Sequence, residues 1–191
     1  LNGLGIELVF PEGGEVNYVH EHRSLTECRR MCEQEIDFAR TGMAPFYIDY
    51  KRKLQHAFPG ESVGFGYSSE GPLTTAYELR GMEVFTDAYD SPDELRMLLE
   101  AATRSIVSFR HFQARLRGAP EINPTGFGLY DDVAAMFPPA LWPDLVLPHW
   151  EAYYQGTTTG KRMLHSEDMT ADHLRFLEPL HGFRQTLARR P

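Results

Sequence analysis

One stretch constrains the fold more than any other: SPDELRMLLEAATRSIVSFRHFQARLRG, residues 91–118. Leu95, Leu98, Leu99, Ala102, Ile106, Phe109 and Gln113 recur at helical spacing, apolar until the last, so the pattern predicts one long helix with a buried face. Ser91 is its expected N-cap, Pro92 suits the first turn, Glu94 completes a capping box and Gly118 ends it. Such a helix buries its stripe only against other elements, and the flanking sequence supplies them. GFGLYDD and TGKRMLH read as short strands, with PPALWPDLVLPHWEAYYQG between them as a helical segment broken at its prolines. ADHLRFLEPLHGF follows as a helix capped by Thr170.

The upstream half is more irregular. GIELVFPEGG reads as a short strand closed by a Pro-Gly turn, and VNYVHEHRS as an extended connector. LTECRRMCEQEIDFARTG reads as a helix capped by Ser24 with Glu27 three residues on, stopping near Gly42. APFYIDY is either a short strand or an irregular approach to the helix KRKLQHAF; VGFGYS reads as a strand and GPLTTAYELRG as a short helix. Strands alternating with helices imply an α/β fold with parallel strands and helical crossovers. In such folds chemistry gathers at the C-terminal strand ends. Two places qualify: Asp131-Asp132 after GFGLY, and His165-Ser166-Glu167-Asp168 after KRML.

Composition narrows the partners. The chain has 191 residues, which suits one domain over residues 1–191. A net charge of -8 argues against a nucleic-acid or anionic-membrane partner, and the basic runs Lys51-Arg52-Lys53 and Arg189-Arg190 are short. No apolar run is long enough for a transmembrane helix, no signal peptide is visible, and the chain opens on Leu1 rather than Met. Cys28 and Cys32, four apart on one helix face, fit a reduced pair in a cytosolic protein.

His165 and Glu167 leave their strand together, and imidazole with carboxylate is a metal-ligand pair. The competing reading is acids placed at a helix N-terminus. Asp131 and Asp132 could bind a cation, orient a substrate amine or act as a base, or one of them could serve as a cap. Asp168 stands beside them as a further proton-handling candidate. Tyr67, Tyr77 and Tyr130, near expected strand ends, either hydrogen-bond a substrate carboxylate or close the core. His20-x-His22 lies in a connector. His56, His111, His149, His173 and His181 look helical or peripheral and receive no role. Gly126-x-Gly128 lacks the rest of a phosphate loop.

Three segments, taken in order, resemble the uroporphyrinogen decarboxylase superfamily across about residues 60–180. EGPLTTAYELRGMEVFTDAYDSPDELRMLLEAAT is similar to its Gly-Pro-Leu-Thr turn and Pro-Glu helix start. GLYDDVAAMFPPALWPDLVLPHWEAYYQ is similar to its strand, acid and Pro-rich run. KRMLHSEDMTADHLRFL falls where the family has a strand ending in His-x-Cys. The resemblance implies a (β/α)8 barrel, which this chain would cover only in part, incomplete at both ends. One branch decarboxylates porphyrinogen acetates without a cofactor; the other holds zinc-dependent methyltransferases that work with a corrinoid.

The decarboxylases' arginine-rich motif has no counterpart before residue 60, and Tyr77 lies near, but not cleanly at, their active-site tyrosine. His165 matches the methyltransferases' metal-ligating histidine, while Glu167 replaces their cysteine and makes a harder site. The expectation is therefore a metal-dependent methyltransferase. His165 and Glu167 would sit on zinc, Asp131, Asp132, Tyr77 and Asp168 would be catalytic, and Tyr67 and Tyr130 would line the substrate pocket. A small methyl donor and a corrinoid-bearing partner protein go with it. The alternatives are a tetrapyrrole decarboxylase and a catalytically silent relative that binds a corrinoid or a partner. Open strand edges in a shortened barrel would also favour a homo-oligomer.

Overall fold

The computed structural model describes residues 1–14, 16–19 and 21–177 and the backbone of 183–185. Its order is a short antiparallel pair, β1 (Leu8–Val9) and β2 (Asn17–Tyr18), then α1 (Leu25–Glu33), α2 (Ala44–Ala57), α3 (Pro72–Arg80), α4 (Val84–Asp90) and α5 (Pro92–Leu116). There follow β3 (Gly126–Tyr130), α6 (Trp142–Leu145), α7 (Leu147–Thr157), β4 (Lys161–His165), α8 (Ala171–Leu174) and β5 (Phe183–Gln185). β3, β4 and β5 form one parallel sheet in that order. The architecture is thus α/β with parallel strands and helical crossovers. A closed eight-stranded barrel is not present among the described residues. His181 and the last part of the helix expected over 171–183 lie outside them.

α5 is the helix that the periodicity predicts, and all seven stripe residues from Leu95 to Gln113 are buried. The Ser91 side chain does not cap it; Asp93 and Glu94 instead place negative charge in its first turn. The reciprocal capping box forms at α1, where the Ser24 N–H donates to Glu27 Oε2 at 2.8 Å and the Glu27 N–H to Ser24 Oγ at 3.3 Å. α1 buries Leu25, Cys28 and Cys32. It stops at Glu33 rather than near Gly42, because Asp37 draws the following backbone into turns: its Oδ1 accepts from the Ala39 N–H at 3.1 Å.

Three upstream expectations change. Residues 44–57 form one helix, not a strand followed by a helix, with Pro45 in the first turn and Asp49 paired to Arg52 and Lys53. VGFGYS forms no strand. α5 holds its end instead: the Gln113 amide donates to Tyr67 O, and Arg110 donates to Ser68 Oγ at 3.2 Å and to Ser69 O, just past it, at 2.9 Å. α4 was not foreseen; the Arg80–Asp87 ion pair, 2.7 Å, ties it to α3.

Alternation along β3 and β4 sends Phe127, Leu129, Arg162 and Leu164 toward the helices. There the Tyr153 hydroxyl donates to Gly128 O at 2.7 Å and Tyr154 to Met163 O at 2.5 Å, binding α7 to both strands. Trp142 and Trp150 meet edge to face, 5.1 Å between centroids, in the core beneath them. His173, given no role by the sequence, is buried against Trp142. Its Nδ1 accepts from the Thr170 N–H at 3.1 Å, so Nε2 carries the proton and donates to Phe137 O at 3.2 Å. It locks α8 onto the segment leading into α6.

Candidate metal centre

Register builds the site. Tyr130 pairs with His165 across β3 and β4, so the residues just past both strands emerge side by side. The Asp131 N–H donates to His165 O at 2.9 Å and extends the pairing by one step. Past that bond the two aspartates part. Asp131 turns inward and is fully buried, whereas Asp132 opens the 3-10 turn 132–136 and faces the mouth.

Asp131 is not at the mouth. Its Oδ1 accepts from the Thr74 N–H at 2.7 Å and the Thr74 hydroxyl at 2.9 Å; its Oδ2 accepts from Trp150 Nε1 at 2.8 Å and the Leu73 N–H at 3.3 Å. The carboxylate thereby caps α3 from another element and supplies the side-chain cap that Gly71, the residue at the N-cap, lacks. Gly71 is glycine because a Cβ there would lie 2.5 Å from Asp131 Cγ. Burial pushes the Asp131 carboxyl up to about 6, and the indole and Thr74 donors pull back against it. Of the two acids after GFGLY, this one is the cap.

Asp132, His165 and Glu167 converge. One ligand atom from each lies within 4.8 Å of the others, and His165 Nε2 stands 3.4 Å from Asp132 Oδ1. That Oδ1 is shut off from water and accepts no hydrogen bond. Desolvation raises the Asp132 pKa; His165 lowers it and Glu167 raises it further. A carboxylate oxygen held out of water without a donor is a natural place for a cation. One imidazole nitrogen and two carboxylate oxygens make a three-ligand set with room for a fourth group, as in catalytic zinc sites, and the residues present fit such an ion. Sequence reasoning pairs His165 with Glu167 but does not single out Asp132 as the third member of the cluster, because the pairing of Tyr130 with His165 is not written in either segment.

The other expected residues divide. The Tyr130 ring, about half exposed, lies 5.7 Å from the His165 imidazole and walls the cluster. Asp168 is exposed at a turn with φ +57°, a left-handed conformation that aspartate tolerates, and is not one of the three ligands. Tyr77 packs on Phe85 at 5.9 Å within α3 and α4. Tyr67 stacks on Tyr47 at 5.0 Å and lines a separate cleft of about 310 Å3. Glu70 lies at the base of that cleft; desolvation and then the charges of Asp132 and Asp131 raise its pKa. The Gly71 N–H bonds to Tyr130 O at 2.6 Å and so brings Glu70, one residue earlier, toward the end of β3. Burial pushes the Cys28 and Cys32 thiols up to about 11 and about 12, far from thiolate ligands.

No family model matches the sequence, and no curated protein matches it. Among solved structures the chain is similar to a methyltransferase from Methanosarcina mazei, with a TM-score of 0.66 and 16% sequence identity. The match covers 87% of this chain and 48% of that one, so the chain spans about half the length of its neighbour. At that identity the likeness is one of fold.

Proposed function

We propose that the chain is part of a methyl-transferring enzyme of the uroporphyrinogen decarboxylase superfamily, a segment of a (β/α)8 barrel with a metal held by Asp132, His165 and Glu167. The single observation that carries this reading is that cluster, placed at the C-terminal ends of two adjacent parallel strands. The likeness in fold to a methyltransferase supports it.

Two carboxylates and one neutral imidazole would match the charge of a dication. Bound zinc would supply Lewis-acid polarisation of an oxygen or sulfur. Tyr130 limits water at His165. Asp131, fixed by donors from α3 and α7, holds the backbone from which Asp132 projects. Glu70, half-buried and within the electrostatic reach of Asp132 and Asp131, keeps a proton at its carboxyl more readily than a free glutamate and would be the group to give it to a departing oxygen. The cleft beside it is lined by apolar side chains such as Leu8, Phe10 and Val16 together with tyrosines and serines, and by no arginine among the described residues, which suits a small methyl donor better than a tetrapyrrole polycarboxylate. A corrinoid-bearing protein would be the acceptor's carrier.

The test is elemental analysis of the purified protein beside His165→Ala/Glu167→Ala and Asp132→Asn. A stoichiometric metal ion, lost in the first variant and weakened in the second, is expected. A native protein without metal, or one whose metal ignores both changes, rejects the site; corrinoid binding without metal would then favour a silent relative.

A further inference from the structure

Asp131 stands at the N-cap of the 3-10 turn 132–136 but gives that turn no side-chain cap, because its carboxylate is turned to α3. Thr74 returns the bond. From the first turn of α3, its hydroxyl donates to Asp131 Oδ1 at 2.9 Å and accepts from the Val133 N–H at 3.3 Å. The two elements therefore cap each other: an acid from the turn serves α3, and a hydroxyl from α3 serves the turn. Thr74 is buried, so water is a poor substitute at that hydroxyl.

Asp132 lies between the two ends of this exchange. The direction in which its side chain leaves the chain follows from its own two backbone dihedrals, and these are fixed once the peptide planes on either side are fixed. The plane before it is held by the Ala134 N–H, which donates to Asp131 O at 3.2 Å; the plane after it is held by Thr74 at the Val133 N–H. Asp132 Oδ1 accepts no hydrogen bond, so apart from the imidazole itself it is the backbone that aims this oxygen at His165 Nε2, 3.4 Å away. Without the Thr74 hydroxyl the second plane is freed. The Asp131 carboxylate also loses a donor that keeps it from swinging back to cap its own turn. We propose that Thr74 is a positioning residue for the candidate metal centre: its hydroxyl sets the direction of Asp132 and so the spacing of Asp132, His165 and Glu167. Its effect on metal affinity rests on the proposed metal; its effect on the spacing does not.

Thr74→Val keeps the branched shape and loses the hydroxyl, whereas Thr74→Ser keeps the hydroxyl. Crystal structures of the metal-free native chain and of both variants give the distance from Asp132 Oδ1 to His165 Nε2. It should stay near 3.4 Å in native protein and in Thr74→Ser and lengthen in Thr74→Val. Zinc affinity, measured by competition with a chromogenic chelator, should fall about tenfold or more in Thr74→Val and recover in Thr74→Ser. Ser24→Ala, which removes the α1 cap, lowers stability alone and should leave zinc affinity unchanged. An unchanged distance in folded Thr74→Val overturns the proposal whether or not zinc binds. So does a zinc affinity equal to native in that variant, or a loss that Thr74→Ser shares. Native protein that binds no zinc rejects the metal centre instead, and the distances still decide the role of Thr74. If Thr74→Val does not fold, Thr74→Ala is read against Thr74→Ser in its place.

Discussion

Replacing Asp131 separates an architectural role from a chemical one. Asp131→Ala strips α3 of its cap and takes the acceptor from four donors: the Leu73 and Thr74 N–H groups, the Thr74 hydroxyl and the Trp150 indole. Losing a cap costs about 1–2 kcal/mol and an orphaned buried donor about 1–3 kcal/mol. The cap value already covers the backbone donors, so the expected loss is about 2–5 kcal/mol at pH 7.5. Asp131→Asn keeps one acceptor oxygen but turns an NH2 group toward two donors, for about 2–4 kcal/mol by the same reckoning.

The charge adds a pH signature. The folded-state carboxyl titrates at about 6 against an ordinary 3.8, so the native state binds the extra proton between those values. Native protein therefore gains stability as pH falls through 6, and the asparagine variant does not. Between pH 7.5 and 5 the gap between them should widen by roughly 1.4 kcal/mol. Urea unfolding followed by the fluorescence of the buried tryptophans measures both numbers. A loss below ~1 kcal/mol for the alanine variant, together with abolished activity, would refute the clamp and make Asp131 a reacting group.

Other outcomes follow from the same geometry. His149 is buried, its Nε2 lacks a partner, and burial lowers its pKa to about 4. Its contribution is present above pH 6.5 and lost as pH falls below it, so native protein should lose roughly 2 kcal/mol more than His149→Gln between pH 7.5 and 5, read by the same melts. Gly71→Ala should destabilise by about 1–3 kcal/mol through the clash with Asp131, and most of that penalty should vanish in an Asp131→Ala background, a coupling that a double-mutant cycle would show. Ser24→Ala should cost about 1 kcal/mol, seen as a lowered urea midpoint with unchanged slope. Cys28 and Cys32 should stay unreactive to a thiol reagent until the chain unfolds, then react together.

What was legible in the sequence followed the range of the signal. α5 was readable because its stripe repeats over about five turns. α2 was misread because Phe46, Tyr47 and Ile48 look strand-like, while the ion pairs of Asp49 and the proline in the first turn decide for helix. VGFGYS has strand composition, yet its last two residues are held by Gln113 at Tyr67 O and by Arg110 at Ser68 Oγ, residues far along the chain. The same distinction runs through the site. His165 and Glu167 share one strand end and could be paired by eye. The choice between Asp131 as clamp and Asp132 as a member of the cluster depends on which way each side chain turns after β3, and that is set by α3 and α7.

The bonds from Asp131 to Leu73 and Thr74 span 58 and 57 residues of chain. Contacts that distant form late, after the loop between them has closed. Asp132 is the next residue, so it meets His165 and Glu167 only once α3, β3, β4 and α7 have all docked. A nascent or half-denatured chain carries the same three side chains but does not hold them in one place. Capacity for the proposed metal would then be a report on the completed fold, with an ion captured by finished molecules in preference to unfinished ones.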